Sequence, residues 1–332
     1  MTTPASPQPG RARPQGAPAP QKRALPAPPI ERVPWFAVAV FVVVSFAAAW
    51  LVALPLWLER GLANPLATLI LPAMMLTPAL AVVVVTFALK APARGERLRS
   101  LGIWPLRPYG RTIGLTAAAM YLPLVVVAAT TFLSGALGFA ELDLTMAGFD
   151  ALNRQQAAAA GLDPALLPSA PVVLALQLLL LPVSVLASNA VFAFGEEVGW
   201  RGWLLPALRP LGVWPSLLVS GALWGLWHAP VILLGYNFGR ADITGVLLMV
   251  AGCVAWGVLL GWLRLRTGSV WPAVIGHASL NGLGQFIVFF LPLGATPDAA
   301  LAGPLGVASW IVLAVVVAAL AAFGQFRRRV LS

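Results

Sequence analysis

Eight apolar runs punctuate the chain, near residues 35–57, 66–89, 113–138, 171–194, 214–235, 243–263, 270–292 and 304–325. A helix needs about 20 such residues to cross the hydrocarbon of a bilayer. The runs are long and do not alternate apolar with polar, so no closed barrel can be built from them. The pattern predicts an all-α polytopic membrane protein with about eight transmembrane helices. Between the third and fourth runs, residues 139–170 carry Glu141, Asp143, Asp150 and Asp163. That segment is expected to hold a short surface helix. No internal repeat and no second domain is visible.

Composition agrees with the pattern. Of 332 residues, 60% are hydrophobic and 10% charged, against about half and a quarter in a soluble domain. An ordinary soluble enzyme is excluded. The single cysteine, Cys253, excludes a disulfide framework and any multi-cysteine zinc or iron–sulfur site. It reads as a small packed hydrophobe.

Residues 1–34 differ from the rest: ten are proline and five are basic. They form a Pro-rich basic tail, expected to be disordered and cytoplasmic, because they cannot bury enough apolar surface to offset ordering entropy. Residues 35–326 are the transmembrane helical domain, and 327–332 a basic C-terminus. The net charge of +10 reads as topology rather than nucleic-acid binding. With both ends inside, eighteen Lys and Arg fall on the inner side and three (Arg60, Arg154, Arg240) outside. Basic residues gather on the cytoplasmic side, so both termini are expected there. The Ala-, Gly-, Arg- and Pro-rich composition points to a bacterial cell (inner) membrane.

Ionisable groups at depth cost about 2.5–3.5 kcal/mol each on insertion scales and are functional by default. The run Gly195-Glu196-Glu197-Val198-Gly199-Trp200-Arg201 ends the fourth span. Apolar residues continue to Leu205, so the helix is expected to run on to just before Pro206. Glu196 would then stand about 13 Å from the helix end. Glu197 and Arg201 are one turn apart and predict a supporting ion pair. Glu196 faces elsewhere and is the candidate general base. Trp224 and His228 share a face of the fifth span, where Gly221 and Gly225 would let another helix approach. His277 and Asn281 share a face of the seventh. At 1.5 Å per residue His277 lies about 10 Å deep and His228 about 21 Å, so something must bring His228 down.

Converging, these three elements would make a hydrolytic site among helices four, five and seven. Glu196 takes a proton from water that His228 helps to hold, and His277 and Asn281 donate to a developing oxyanion. Both glutamate and histidines also form a possible His2Glu zinc set, although His-Glu-x-x-His is missing.

The motifs resemble those of the CaaX protease and bacteriocin-processing family of intramembrane glutamic endopeptidases, related to the type II CaaX prenyl endopeptidases. The family pattern is Glu-Glu-x-x-x-Arg, then an aromatic residue and His with three residues between them, then His and Asn likewise spaced. Here it reads Glu196, Glu197 and Arg201; Trp224 and His228; His277 and Asn281. The resemblance covers roughly residues 170–292. Trp224 stands where the family usually has Phe, a change expected to matter little between two aromatics. The resemblance implies an eight-helix peptidase with no metal and no cofactor, opening to the cytoplasmic side. It implies Glu196 as base beside His228, with His277 and Asn281 at the oxyanion and Glu197 and Arg201 in support. The implied partner is a membrane-associated peptide or protein. A non-catalytic immunity or binding protein of the same fold is the alternative. A transporter would show inverted repeats, and none is found.

Overall fold

The computed structural model describes residues 31–327 and Leu331. The tail expected over residues 1–34 thus lies outside them up to residue 30, as does most of the C-terminal basic segment.

The described residues are helical, with no strand. In chain order the α-helices are α1 (Trp35–Leu58), α2 (Ala67–Met74), α3 (Thr77–Phe87), α4 (Arg97–Ser100), α5 (Tyr109–Ala136) and α6 (Ala147–Ala159). There follow α7 (Ala170–Ser184), α8 (Ala190–Glu197), α9 (Leu205–Leu208), α10 (Val213–Trp227), α11 (Ala229–Ile232), α12 (Ile243–Thr267), α13 (Trp271–Gly282), α14 (Ala299–Ala302) and α15 (Val307–Ala322). All eight apolar runs are helical. Six helical stretches among the described residues are long and apolar enough to cross a membrane, at 35–58, 67–87, 109–136, 170–211, 243–267 and 299–322. The fifth and seventh runs are shorter than expected, because α10 stops at Trp227 and α13 at Gly282. The surface helix expected within 139–170 is α6.

The fourth stretch is one continuous helical rod of 42 residues. Two wide π-turns interrupt its α-geometry, Val185–Asn189 and Val198–Leu204. The second lies just before Pro206. A proline inside an α-helix lacks the N–H that closes the preceding turn, and its ring crowds the carbonyl there. A π-turn changes the bonding register ahead of the ring. The rod therefore does not end before Pro206 but continues through α9.

α12 lies at the centre, with 56% of its most apolar window buried. Its N-terminus is capped by Asp242, whose carboxylate accepts from Thr244 and Gly245 N–H, satisfying two first-turn donors. Gly268 ends it in left-handed geometry (φ +69°), as helices commonly end. α10 crosses it closely. A Cβ on Gly221 would lie 2.8 Å from Val254 Cα, and one on Gly225 only 2.4 Å from Val250 Cα. The Gly221/Gly225 face thus admits the approach expected of it, and the partner is α12. In the rod, Gly195 packs against Met75 and Leu76 and Gly199 against Pro78, at the junction of α2 and α3.

The 91–105 connection closes one end of the bundle. Arg264 Nη2 donates to Ser100 O (2.9 Å), Ser269 Oγ to Gly102 O (3.1 Å) and Trp271 Nε1 to Ile103 O (3.1 Å). Gly102 has φ +72°, and a Cβ there would sit 2.8 Å from Gly268 O and 2.9 Å from Arg264 Cζ. Only glycine fits.

Candidate active site

The site starts from two neighbouring carboxylates that helix geometry sends apart by about 100°. α8 ends on Glu196 and Glu197, and the π-turn carries Arg201. Glu196 is 2% exposed, Glu197 0%, Arg201 1%, Trp224 2% and His277 4%. An isolated buried charge would cost several kcal/mol, so such groups must be partnered.

Glu197 has its partners. Arg201 Nη1 donates to Glu197 Oε1 at 2.7 Å, the ion pair that the spacing predicts. His277 Nδ1 meets the same oxygen at 2.9 Å, from α13. Glu197 therefore joins two spans, which spacing within one helix could not reveal. Glu197 Oε2 and Arg201 Nη2 are buried without a partner among the described residues. Gly257 makes room for the guanidinium, since a Cβ there would lie 3.2 Å from Nη2. The Arg201 backbone is held as well, its carbonyl accepting from Arg264 Nε at 3.0 Å.

Glu196 forms no ion pair among the described residues, but it is not without a partner. Trp224 Nε1 donates to Glu196 Oε2 at 2.6 Å. The Trp224 ring also lies under Arg201, with Cζ 4.2 Å from the centroid, and meets His277 edge-on at 5.3 Å. Phe has no such donor, so Trp at this position adds a hydrogen bond to Glu196 that Phe would not make. One signal in the sequence pointed to it: a buried indole N–H almost always finds an acceptor.

His228 follows α10. Its Nδ1 lies 2.8 Å from the Trp224 carbonyl. A carbonyl only accepts, so Nδ1 carries the proton and Nε2 presents a lone pair. The ring packs against Trp227 at 4.7 Å and Trp224 at 5.9 Å between centroids. α10 begins at Val213, so no late start brings His228 down. The rod instead runs on past Pro206, which places Glu196 farther from its end than a helix stopping there would, and Trp224, one turn before His228, reaches it directly.

The structure does not bring Asn281 into this cluster. His277 is buried, but Asn281, one turn on, is exposed, and its side chain forms no hydrogen bond among the described residues. α13 turns off at Gly282, leaving Asn281 at its margin. Cys253 is fully buried, with Sγ 3.9 Å from His228 Nδ1.

Chemically the cluster offers two buried carboxylates, one of them outside any ion pair among the described residues, beside two imidazoles and a guanidinium. Among the described residues, no three His, Cys, Asp or Glu side chains converge as a metal-binding group. His228 offers Nε2 as an acceptor. His277, with Nδ1 on a carboxylate, offers an Nε2–H only as imidazolium.

Residues 178–283 match the model of the family described as type II CAAX prenyl endopeptidase Rce1-like. The match spans all three motifs and covers well under half of the chain. No curated protein matches the chain significantly.

Proposed function

We propose, taking the match of residues 178–283 to that family as premise, that the protein is an intramembrane endopeptidase acting on membrane-associated peptides through a water activated by Glu196 and His228, without a metal. The observation that carries this reading is Glu196 itself. It is a carboxylate buried in an apolar span, outside any ion pair among the described residues, with one oxygen held by Trp224. A carboxylate kept for stability alone would be paired, as Glu197 is.

In the proposed reaction Glu196 takes a proton from water while His228 Nε2 accepts the second O–H as a hydrogen bond. The hydroxide attacks the scissile carbonyl carbon. The carbonyl oxygen, now an oxyanion, accepts from His277 Nε2–H, with Glu197 and Arg201 balancing charge behind that ring. Asn281 turns inward on substrate binding and supplies a second donor. Collapse breaks the C–N bond, and the proton held by Glu196 passes to the leaving amine. A donor held in place beforehand, as His277 is by Glu197, is a principal source of rate enhancement in acyl transfer.

The proposal includes the topology: eight spans, α10 and α13 crossing as short helices, and both termini cytoplasmic. The uneven distribution of Lys and Arg supports it.

The test is cleavage of a quenched-fluorescent peptide library by detergent-purified protein, with and without chelator. Cleavage is expected to survive chelator and to vanish in Glu196→Gln. Loss in chelator restored by zinc would replace the metal-free mechanism. A functional Glu196→Gln variant would point instead to a binding role.

A further inference from the structure

Trp224 contacts both members of the water-activating pair, by different atoms. Its indole N–H donates to Glu196 Oε2 at 2.6 Å, and its backbone carbonyl accepts from His228 Nδ1 at 2.8 Å. We propose that Trp224 is a positioning residue that orients Glu196 through its indole N–H and His228 through its carbonyl, so that Glu196 Oε1 and His228 Nε2 face one water. This rests on the reading of Glu196 as the base.

Three features argue for positioning rather than simple packing. The first is that the indole cannot swing. The Arg201 guanidinium covers one face at 4.2 Å and His277 meets the ring at 5.3 Å. Next to it in α10, Gly221 and Gly225 lock the helix against α12 with no space for a Cβ. The second feature is the torsion that the hydrogen bond controls. The terminal torsion of a glutamate is broad and weakly restrained by itself. Among the described residues Trp224 is the one side chain that hydrogen-bonds Glu196, and it takes one oxygen. The other oxygen, Oε1, accepts no hydrogen bond from a described residue, so fixing Oε2 fixes the direction in which Oε1 points. The third feature is connectivity. Glu196 belongs to α8 and His228 follows α10, so two separate spans must be brought into register. A single residue bonded to both does this within a few ångströms, where an error of about 1 Å can cost 10²-fold in rate.

The two bonds are separable. Trp224→Phe removes the N–H and keeps the carbonyl. Replacement at position 224 by 3-benzothienylalanine, introduced by amber suppression, keeps the full bicyclic shape and removes only the donor.

Two measurements on the purified full chain test this. Infrared difference spectra with 13C-glutamate, assigned against Glu196→Gln, report the Glu196 carboxyl stretch without any substrate. That band is expected to shift in both the Trp224→Phe and the benzothienyl protein. On the best-cleaved peptide of the quenched library, kcat is expected to fall about 10- to 100-fold in both, the effect of one hydrogen bond to a charged group, with KM unchanged. An unshifted band, or a benzothienyl protein with wild-type kcat, overturns the proposal and leaves Trp224 as packing. Failure of the underlying reading is a different result: Glu196→Gln then still cleaves, whatever the infrared spectra show.

Discussion

At the residue scale, the two adjacent glutamates do different work because their neighbours differ. Glu197 is a structural hub: one oxygen takes Arg201 and His277 from two spans. Glu197→Gln leaves Arg201 buried without its counter-charge, and breaking one side of a buried pair costs about 3–5 kcal/mol. The expected outcome is a large drop in thermal unfolding temperature in detergent together with loss of cleavage. Glu196→Gln should behave in the opposite way. Its shape and its bond from Trp224 are kept, so the unfolding temperature stays near wild type while cleavage is lost. Asn281→Ala should leave stability unchanged, since the side chain is exposed. If it supplies an oxyanion donor, kcat falls about 10²-fold; an unchanged kcat would remove Asn281 from the mechanism. The candidate residues themselves were legible in the sequence, because ionisable groups within apolar runs are conspicuous and their one-turn spacings imply shared faces. The bonds between spans were not. The Trp224–Glu196 and His277–Glu197 contacts join residues far apart in sequence, and no periodicity encodes which helix meets which.

At the scale of elements, the site depends on close helix approach. Gly225→Leu drives a side chain into Val250, where even a Cβ would stand 2.4 Å from Cα. Overpacking typically costs about 1–3 kcal/mol. The expected result is a lower unfolding temperature and reduced cleavage, because Trp224 and His228 move with α10. The surface helix offers a pH test away from the spans. The Thr145 hydroxyl and the Gly148 N–H hold Asp143 below its ordinary value of 3.8. A lowered native value means that the stabilisation is present above the unfolded value and is lost as pH falls through the native one. The protection factor of the Gly148 amide, its exchange relative to the intrinsic rate at the same pH, should therefore fall as pH drops below about 3.9, and Asp143→Asn should abolish that dependence. α6 was readable as an element from its polar composition between apolar runs. The π-turns were not: no local pattern marks either, and the second follows from how Pro206 is accommodated within a rod held by its neighbours.

At the scale of the whole molecule, the proposed topology predicts that a cysteine placed in the 91–105 connection reacts with impermeant thiol reagents only from the cytoplasmic side, and one in α6 only from outside. Labelling of both from one side would overturn the eight-span arrangement. Hydropathy by itself determined that the chain is an all-helical membrane protein, since backbone groups in hydrocarbon must be satisfied within each segment and a long apolar run has no other solution. Spacing along single helices likewise determined the Glu197–Arg201 pair and the glycine face of α10. What only the tertiary structure decided is depth and partnership: that the fourth helix passes Pro206 and carries Glu196 to the level of Trp224, that Glu197 also holds His277, and that Asn281 is left at the margin. These depend on contacts between side chains of different spans, which are set by how the helices tilt and pack against α12. In a bilayer no hydrophobic force between apolar faces specifies that packing, so it rests on close fit at small residues and on a few buried polar bonds.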